Sequence, residues 1–92
     1  MAKEMDIKFA ITSSAIKALD YKKSKPNADI EEIMKAVFIN ARGSSDAKKG
    51  VVVGVSKAVK YLEENPAANT KSIMQRIMNE LNEIVVSLKE ED

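Results

Sequence analysis

The sequence predicts an all-α fold: four helices form two tandem αα-hairpins, which pack into a compact bundle with an approximate two-fold axis. Three observations support this prediction: apolar residues recur at helical spacing, prolines and N-cap residues punctuate the chain, and the chain repeats itself at an offset of 40. Nine of the 35 pairs formed by residues 6–40 and 46–80 are identical, where average composition gives about two. The identical positions of the first copy are Asp6, Lys8, Lys17, Ala18, Tyr21, Pro26, Ala28, Ile33 and Met34.

The first hairpin is indicated by two apolar faces separated by a proline turn. The first helix should end near residues 23–25, because Pro26 disfavours helical backbone in the residue before it. Asp29 is then a natural N-cap, and Glu32 three residues later completes a capping-box pattern for the second helix. The apolar face of the first helix is Ile7, Ile11, Ala15, Ala18 and Leu19, and that of the second is Ile30, Ile33, Met34, Val37, Phe38 and Ala41.

The second hairpin repeats these signals after an inter-hairpin loop at about residues 42–46. Its first helix contains the valine run 51–55, which has strand propensity; the repeat aligns the run with residues 11–15 of the first helix, so helix is predicted. Pro66 ends this helix and Asn69 caps the fourth. We assign residues 1–92 to one helical domain, with repeat 1 at about 6–42, repeat 2 at about 46–88 and a frayed tail at 89–92.

Small residues recur at every fourth position on the first and third helices. Ala10, Ser14 and Ala18 align with Gly50, Gly54 and Ala58. Because small side chains permit close helix approach, we expect these two helices to cross along this stripe. The alternative is that small residues are simply common in helices.

Composition excludes several classes of function. Fifteen basic and 14 acidic residues give a net charge of +1, so no overall field attracts nucleic acid or an anionic membrane. The chain has no cysteine and no histidine, which rules out thiol chemistry and fits a reducing compartment. The sequence shows no signal-peptide pattern and no apolar run of about 20 residues. We therefore expect a soluble cytoplasmic protein.

The side chains offer little catalytic chemistry. Adjacent carboxylates at residues 31–32, 63–64 and 90–91 diverge by about 100° on a helix and do not converge on one substrate. Metal sites in helical bundles typically pair glutamate with histidine, which is absent. We therefore expect no enzyme activity, no catalytic residue, no cofactor and no metal.

The leading functional prediction is a small non-enzymatic helical module for protein interaction or structure. Two helical repeats either close on each other or recruit another chain, so self-association as a homodimer is expected. The apolar stripe of the last helix is longer than its counterpart in the first copy, and we nominate it as the surface for self-association or a protein partner. This stripe consists of Ile73, Ile77, Leu81, Ile84, Val85 and Leu88.

An alternative prediction is weak nucleic-acid or anion binding through a lysine-rich face of the first and third helices. Only Tyr21 and Tyr61 are available to stack on bases, and we expect each to cover one end of its hairpin and leave its hydroxyl in water. The basic residues of this face are Lys17, Lys22, Lys23, Arg42, Lys48, Lys49, Lys57 and Lys60.

Part of the second copy resembles a DNA-binding family. Residues 58–66 and 70–73 resemble the opening helices of winged-helix domains, over about 20 residues. The resemblance implies a short turn and a recognition helix next. This sequence departs from that pattern, because residues 74–89 continue as one apolar-striped helix.

Overall fold

The computed structural model describes residues 2–39 and 45–90, with side chains described for residues 7–38 and 48–87. It consists of four helices: α1 (Ala2–Ser24), α2 (Ile30–Ile39), α3 (Ser45–Glu64) and α4 (Thr70–Glu90). The predicted all-α fold is confirmed, and no strand occurs within these two ranges. The valine run 51–55 is helical, with Val51 and Val55 buried and Val52 exposed.

The two hairpin turns close with the same backbone hydrogen bonds. After α1, Lys25 N donates to Tyr21 O at 2.8 Å and Ala28 N donates to Lys25 O at 3.0 Å. Forty residues later, Asn65 N donates to Tyr61 O at 3.1 Å and Ala68 N to Asn65 O at 2.9 Å. Each helix ends two residues before a proline, as the restriction on the residue preceding proline predicts.

Both predicted N-caps are present. Asp29 Oδ1 accepts a hydrogen bond from Glu32 N at 2.9 Å, and Asn69 Oδ1 accepts one from Ser72 N at 2.8 Å. These bonds satisfy amides that have no partner within the helix. The Glu32 carboxylate accepts from Tyr21 instead of completing the capping box.

Helices α1 and α3 form the most extensive contact of the fold, and they meet along the predicted small-residue stripe. A methyl group added to Gly50 would lie 3.0 Å from Ile7 O and 3.1 Å from Ala10 Cβ, and one added to Gly54 would overlap Ser14 Oγ. Gly50 packs against Ala10, and Gly54, one turn later, packs against Ser14. Because both contacts advance along the two helices together, α1 and α3 run in the same direction where they cross. Equivalent positions of the two repeats therefore face each other.

Helices α2 and α4 pack on the α1–α3 pair, and each contacts both of its members. No contact joins α2 to α4 among the described residues. One core runs through all four helices. Its fully covered side chains include Ile11, Leu19, Ile33, Val55, Ile77 and Val85.

Two sequence predictions concern parts of the chain outside the described residues. The inter-hairpin loop at 42–46 falls mostly there, although α3 itself begins at Ser45. The frayed tail is described only up to Glu90, where the backbone is still helical.

Candidate interaction surfaces

The apolar stripe nominated on α4 is largely part of the protein's own core. Ile73, Ile77, Ile84 and Val85 are buried, and Leu81 is partly buried against them. The side chain of Leu88 lies outside the described residues. The physical reason is that α4 contacts both α1 and α3, so its apolar face is covered within one chain.

What α4 leaves exposed is the flank of that stripe. Met78 and Val86 are more than half exposed and lie eight residues apart, on one side of the helix. A shallow depression of about 340 Å³ beside them is lined by Asn82, Glu83, Val86 and Ser87. All these residues belong to one helix.

Some side chains of the predicted lysine face already form contacts within the chain. Lys22 Nζ donates to Ala28 O at 2.8 Å, and Lys23 Nζ donates to Thr70 Oγ1 at 2.7 Å. Lys57 Nζ lies 3.7 Å from Glu80 Oε1. Lys17, Lys48 and Lys60 are exposed, Lys49 is partly buried, and Arg42 lies outside the described residues.

Two lysines of α3 have different neighbours. Lys57 meets Glu80 on α4, whereas Lys60 lines a groove beside Ile30 on α2. The two lysines lie three residues apart and share one helix face, but Lys57 is already paired with a carboxylate of α4.

The outer surface of α1 carries apolar side chains that the sequence analysis did not single out. Phe9 is 73% exposed and Ile16 is 43% exposed. They lie seven residues apart and therefore share one face, opposite the buried face formed by Ile7, Ile11 and Ala18. The signal was present in the sequence, because both residues fall off the predicted core face at helical spacing.

This face continues toward the end of α1 with polar residues. Asp20 and Lys23 are exposed, four and seven residues after Ile16, and Lys23 contacts the first residue of α4, Thr70. We call the residues Phe9, Thr12, Ile16, Asp20 and Lys23 the α1 strip.

An open groove of about 490 Å³ lies between α3 and the start of α2. It is lined by Ile30, Ser56, Val59, Lys60, Glu63 and Glu64, which we call the α3 groove. Ile30 is 41% exposed at one end, while Val59 closes the floor as a buried core residue. Val52 lies one turn before Ser56 and extends the apolar character along the same helix face.

A polar cluster joins α3 to α4 around Tyr61. The buried Tyr61 donates its hydroxyl hydrogen to Glu80 Oε1, which contradicts the prediction of a wet hydroxyl. Arg76 stacks on the ring with Cζ 3.8 Å from its centroid, and Lys57 Nζ lies 5.8 Å from it. Arg76 Nη1 also lies 3.4 Å from Glu64 Oε1.

The electrostatics of this cluster keep Tyr61 protonated. Burial raises the pKa of the Tyr61 hydroxyl above its ordinary 10.0, and the hydrogen bond to the Glu80 carboxylate raises it further, against a lowering by Lys57. A neutral phenol that donates to a carboxylate is a structural link between helices and is a poor nucleophile at neutral pH.

In the described ranges 2–39 and 45–90, no group of three or more acidic side chains is placed to hold a metal ion. None of the helices there has both the length and the apolar content needed to cross a bilayer.

Comparison with protein-family models, with curated proteins and with solved structures finds no match to this chain.

Proposed function

We propose that this protein is a small, non-enzymatic helical interaction module that acts in the cytoplasm and self-associates through the α1 strip. One observation carries the proposal: Phe9 and Ile16 are 73% and 43% exposed on the face of α1 that points away from the core. A helix with apolar residues on both faces is one that packs on both sides. In the described part of the chain, only one side of α1 is covered.

The proposal moves the partner surface from the α4 stripe to α1. The stripe residues already stabilise the monomer, so exposing them to a partner would mean opening the core. Phe9 and Ile16 are available without any rearrangement, and an exposed aromatic ring supplies a large apolar area at low entropic cost.

Sedimentation velocity across a concentration series tests the proposal. Replacing both Phe9 and Ile16 with glutamine should weaken self-association at least tenfold, because the apolar area they bury at about 25 cal/mol per Å² is lost. Met78→Gln combined with Val86→Gln is the matched control, since it removes two exposed apolar side chains elsewhere. Equal losses in both variants, or a wild-type protein that stays monomeric throughout, would contradict the proposal.

Weak nucleic-acid binding through the lysine-rich face remains the alternative proposal, and the geometry supports it less. Lys22, Lys23 and Lys57 already hold partners within the chain, and Lys57 borders α4 whereas Lys60 borders α2. Retention on heparin that falls steeply with salt would favour this alternative.

A further inference from the structure

We infer that copies of this chain associate head to tail, with the α1 strip of one copy seated in the α3 groove of the next. The inference rests on the proposed self-association and specifies which second surface receives the strip. It follows from comparing the strip and the groove position by position at the offset of 40.

The charges at equivalent positions are reversed. Asp20 of the strip corresponds to Lys60 of the groove, and Lys23 corresponds to Glu63. All four side chains are exposed. Residues 20 and 23, like residues 60 and 63, lie three apart and so share one helix face. The strip therefore presents acid and then base, while the groove presents base and then acid.

These charges remain available for a second copy. No ion pair joins Lys60 to Glu63, or Asp20 to Lys23, in the described part of the chain. Lys23 Nζ donates one hydrogen bond to the neutral Thr70 hydroxyl, which leaves two of its three donors and its full charge.

The sizes of the side chains are complementary as well. Ile16, at the centre of the strip, corresponds to the much smaller Ser56 in the groove. A protruding isoleucine 43% exposed on one copy thus faces an opening of about 490 Å³ on the other. In this arrangement Phe9 of the strip would lie against α3 closer to the N-terminal end of α3.

The charge pattern selects one relative orientation. If α1 of one copy runs parallel to α3 of the next, Asp20 meets Lys60 and Lys23 meets Glu63. In the antiparallel arrangement like charges meet, which is unfavourable. Parallel packing of α1 against α3 is also the arrangement inside the chain, where Gly54 meets Ser14.

This contact is heterologous, because two different surfaces meet. When two copies have paired, one of them still has a free strip and the other a free groove. The assembly therefore grows into an open filament or closes as a ring. Association should therefore proceed beyond the dimer with rising concentration, and added salt should weaken it because the paired charges are exposed.

Charge swaps analysed by sedimentation velocity test the inference. The strip swap is Asp20→Lys with Lys23→Glu, and the groove swap is Lys60→Asp with Glu63→Lys. Each swap alone brings like charges together, so each should weaken association at least tenfold. The chain that carries both swaps restores opposite charges and should associate within about threefold of wild type.

Mixing the two single-swap proteins gives a second, independent readout. One protein then carries two surfaces of the acid-then-base pattern and the other carries two of the reverse pattern, so an equimolar mixture should associate where neither protein does alone. Circular dichroism melting of each variant verifies that it is folded. We expect all variants to fold, because the four substituted positions are exposed.

The outcomes separate this inference from the proposed function. A wild-type chain that stays monomeric up to about 1 mM overturns both. Two results overturn the head-to-tail contact and leave self-association through α1 standing. In the first, wild type associates and neither swap changes its association. In the second, the strip swap weakens association and adding the groove swap does not restore it.

Discussion

The hydroxyl of Tyr61 on α3 donates a hydrogen bond to the carboxylate of Glu80 on α4, and this bond is partly buried. Its repeat counterpart Tyr21 donates instead to Glu32, at 2.7 Å. The acceptors are not equivalent, because the repeat register matches Glu32 with Ser72. Two identical residues at one repeat position thus hold their hairpins together by different bonds, one partly buried and one exposed.

Removing the two hydroxyls should therefore have unequal effects. We expect Tyr61→Phe to lower the free energy of unfolding by about 0.5 to 1.5 kcal/mol, the usual net value of an intramolecular hydrogen bond. Tyr21→Phe should cost less, because the Tyr21 bond to Glu32 is exposed and water replaces it. Urea unfolding followed by circular dichroism measures both values. Equal losses would mean that burial of the Tyr61 bond makes no difference.

The raised pKa of Tyr61 predicts a loss of stability in alkaline solution. Above pH 10 the unfolded chain releases the tyrosine proton while the folded chain retains it, because burial and the Glu80 carboxylate raise the folded-state pKa. The unfolded state then binds fewer protons, so the free energy of unfolding falls as pH rises from about 10 to the folded-state pKa. Below pH 10 both states retain the Tyr61 proton, so the contribution of Tyr61 to the free energy of unfolding is fully present.

Melting temperatures measured between about pH 9 and 11.5 check this prediction. The difference between wild type and Tyr61→Phe should shrink as pH rises, since the phenylalanine variant has no proton to lose at this position. Glu80→Gln removes the negative charge of the carboxylate but keeps a hydrogen-bond acceptor. The tyrosinate absorbance of Tyr61 should therefore appear at lower pH. That titration is read in a Tyr21→Phe background, where Tyr61 is the sole tyrosine.

Local rules in the sequence predict the helices and their ends well. The proline turns and the caps Asp29 and Asn69 lie where the spacing indicates. These features depend on backbone geometry within a few residues. The crossing of α1 with α3 was also predictable, because Gly50 and Gly54 leave room that only a close neighbour fills.

The surfaces were harder to predict, because they depend on how the helices are placed around one another. The apolar periodicity of Ile73 and Ile77 is the same whether a helix of the same chain or a partner covers it. Here α1 and α3 cover it. The exposure of Phe9 likewise follows from α3 occupying the opposite side of α1. Lys57 is drawn toward Glu80 only because α3 and α4 pack together.

The close crossing of α1 and α3 predicts a large difference between two chemically identical substitutions. A methyl group on Gly54 would overlap the carbonyl oxygen of Ile11 and the buried Ser14 hydroxyl, and the backbone carbonyl has no alternative rotamer. The added group at Gly50 would touch Ile7 O at 3.0 Å and Ala10 Cβ at 3.1 Å, so shifts of a few tenths of an ångström relieve it.

Both substitutions to alanine gain about 1 kcal/mol of helix propensity, so the difference between them isolates the packing. We expect Gly54→Ala to lower the free energy of unfolding by about 1 to 2 kcal/mol, because overpacking of up to about 3 kcal/mol exceeds the gain in propensity. Gly50→Ala should stay within about 0.5 kcal/mol of wild type. Paired urea unfolding curves give both values. If Gly54→Ala proved as stable as Gly50→Ala, α1 and α3 could not lie this close at Gly54.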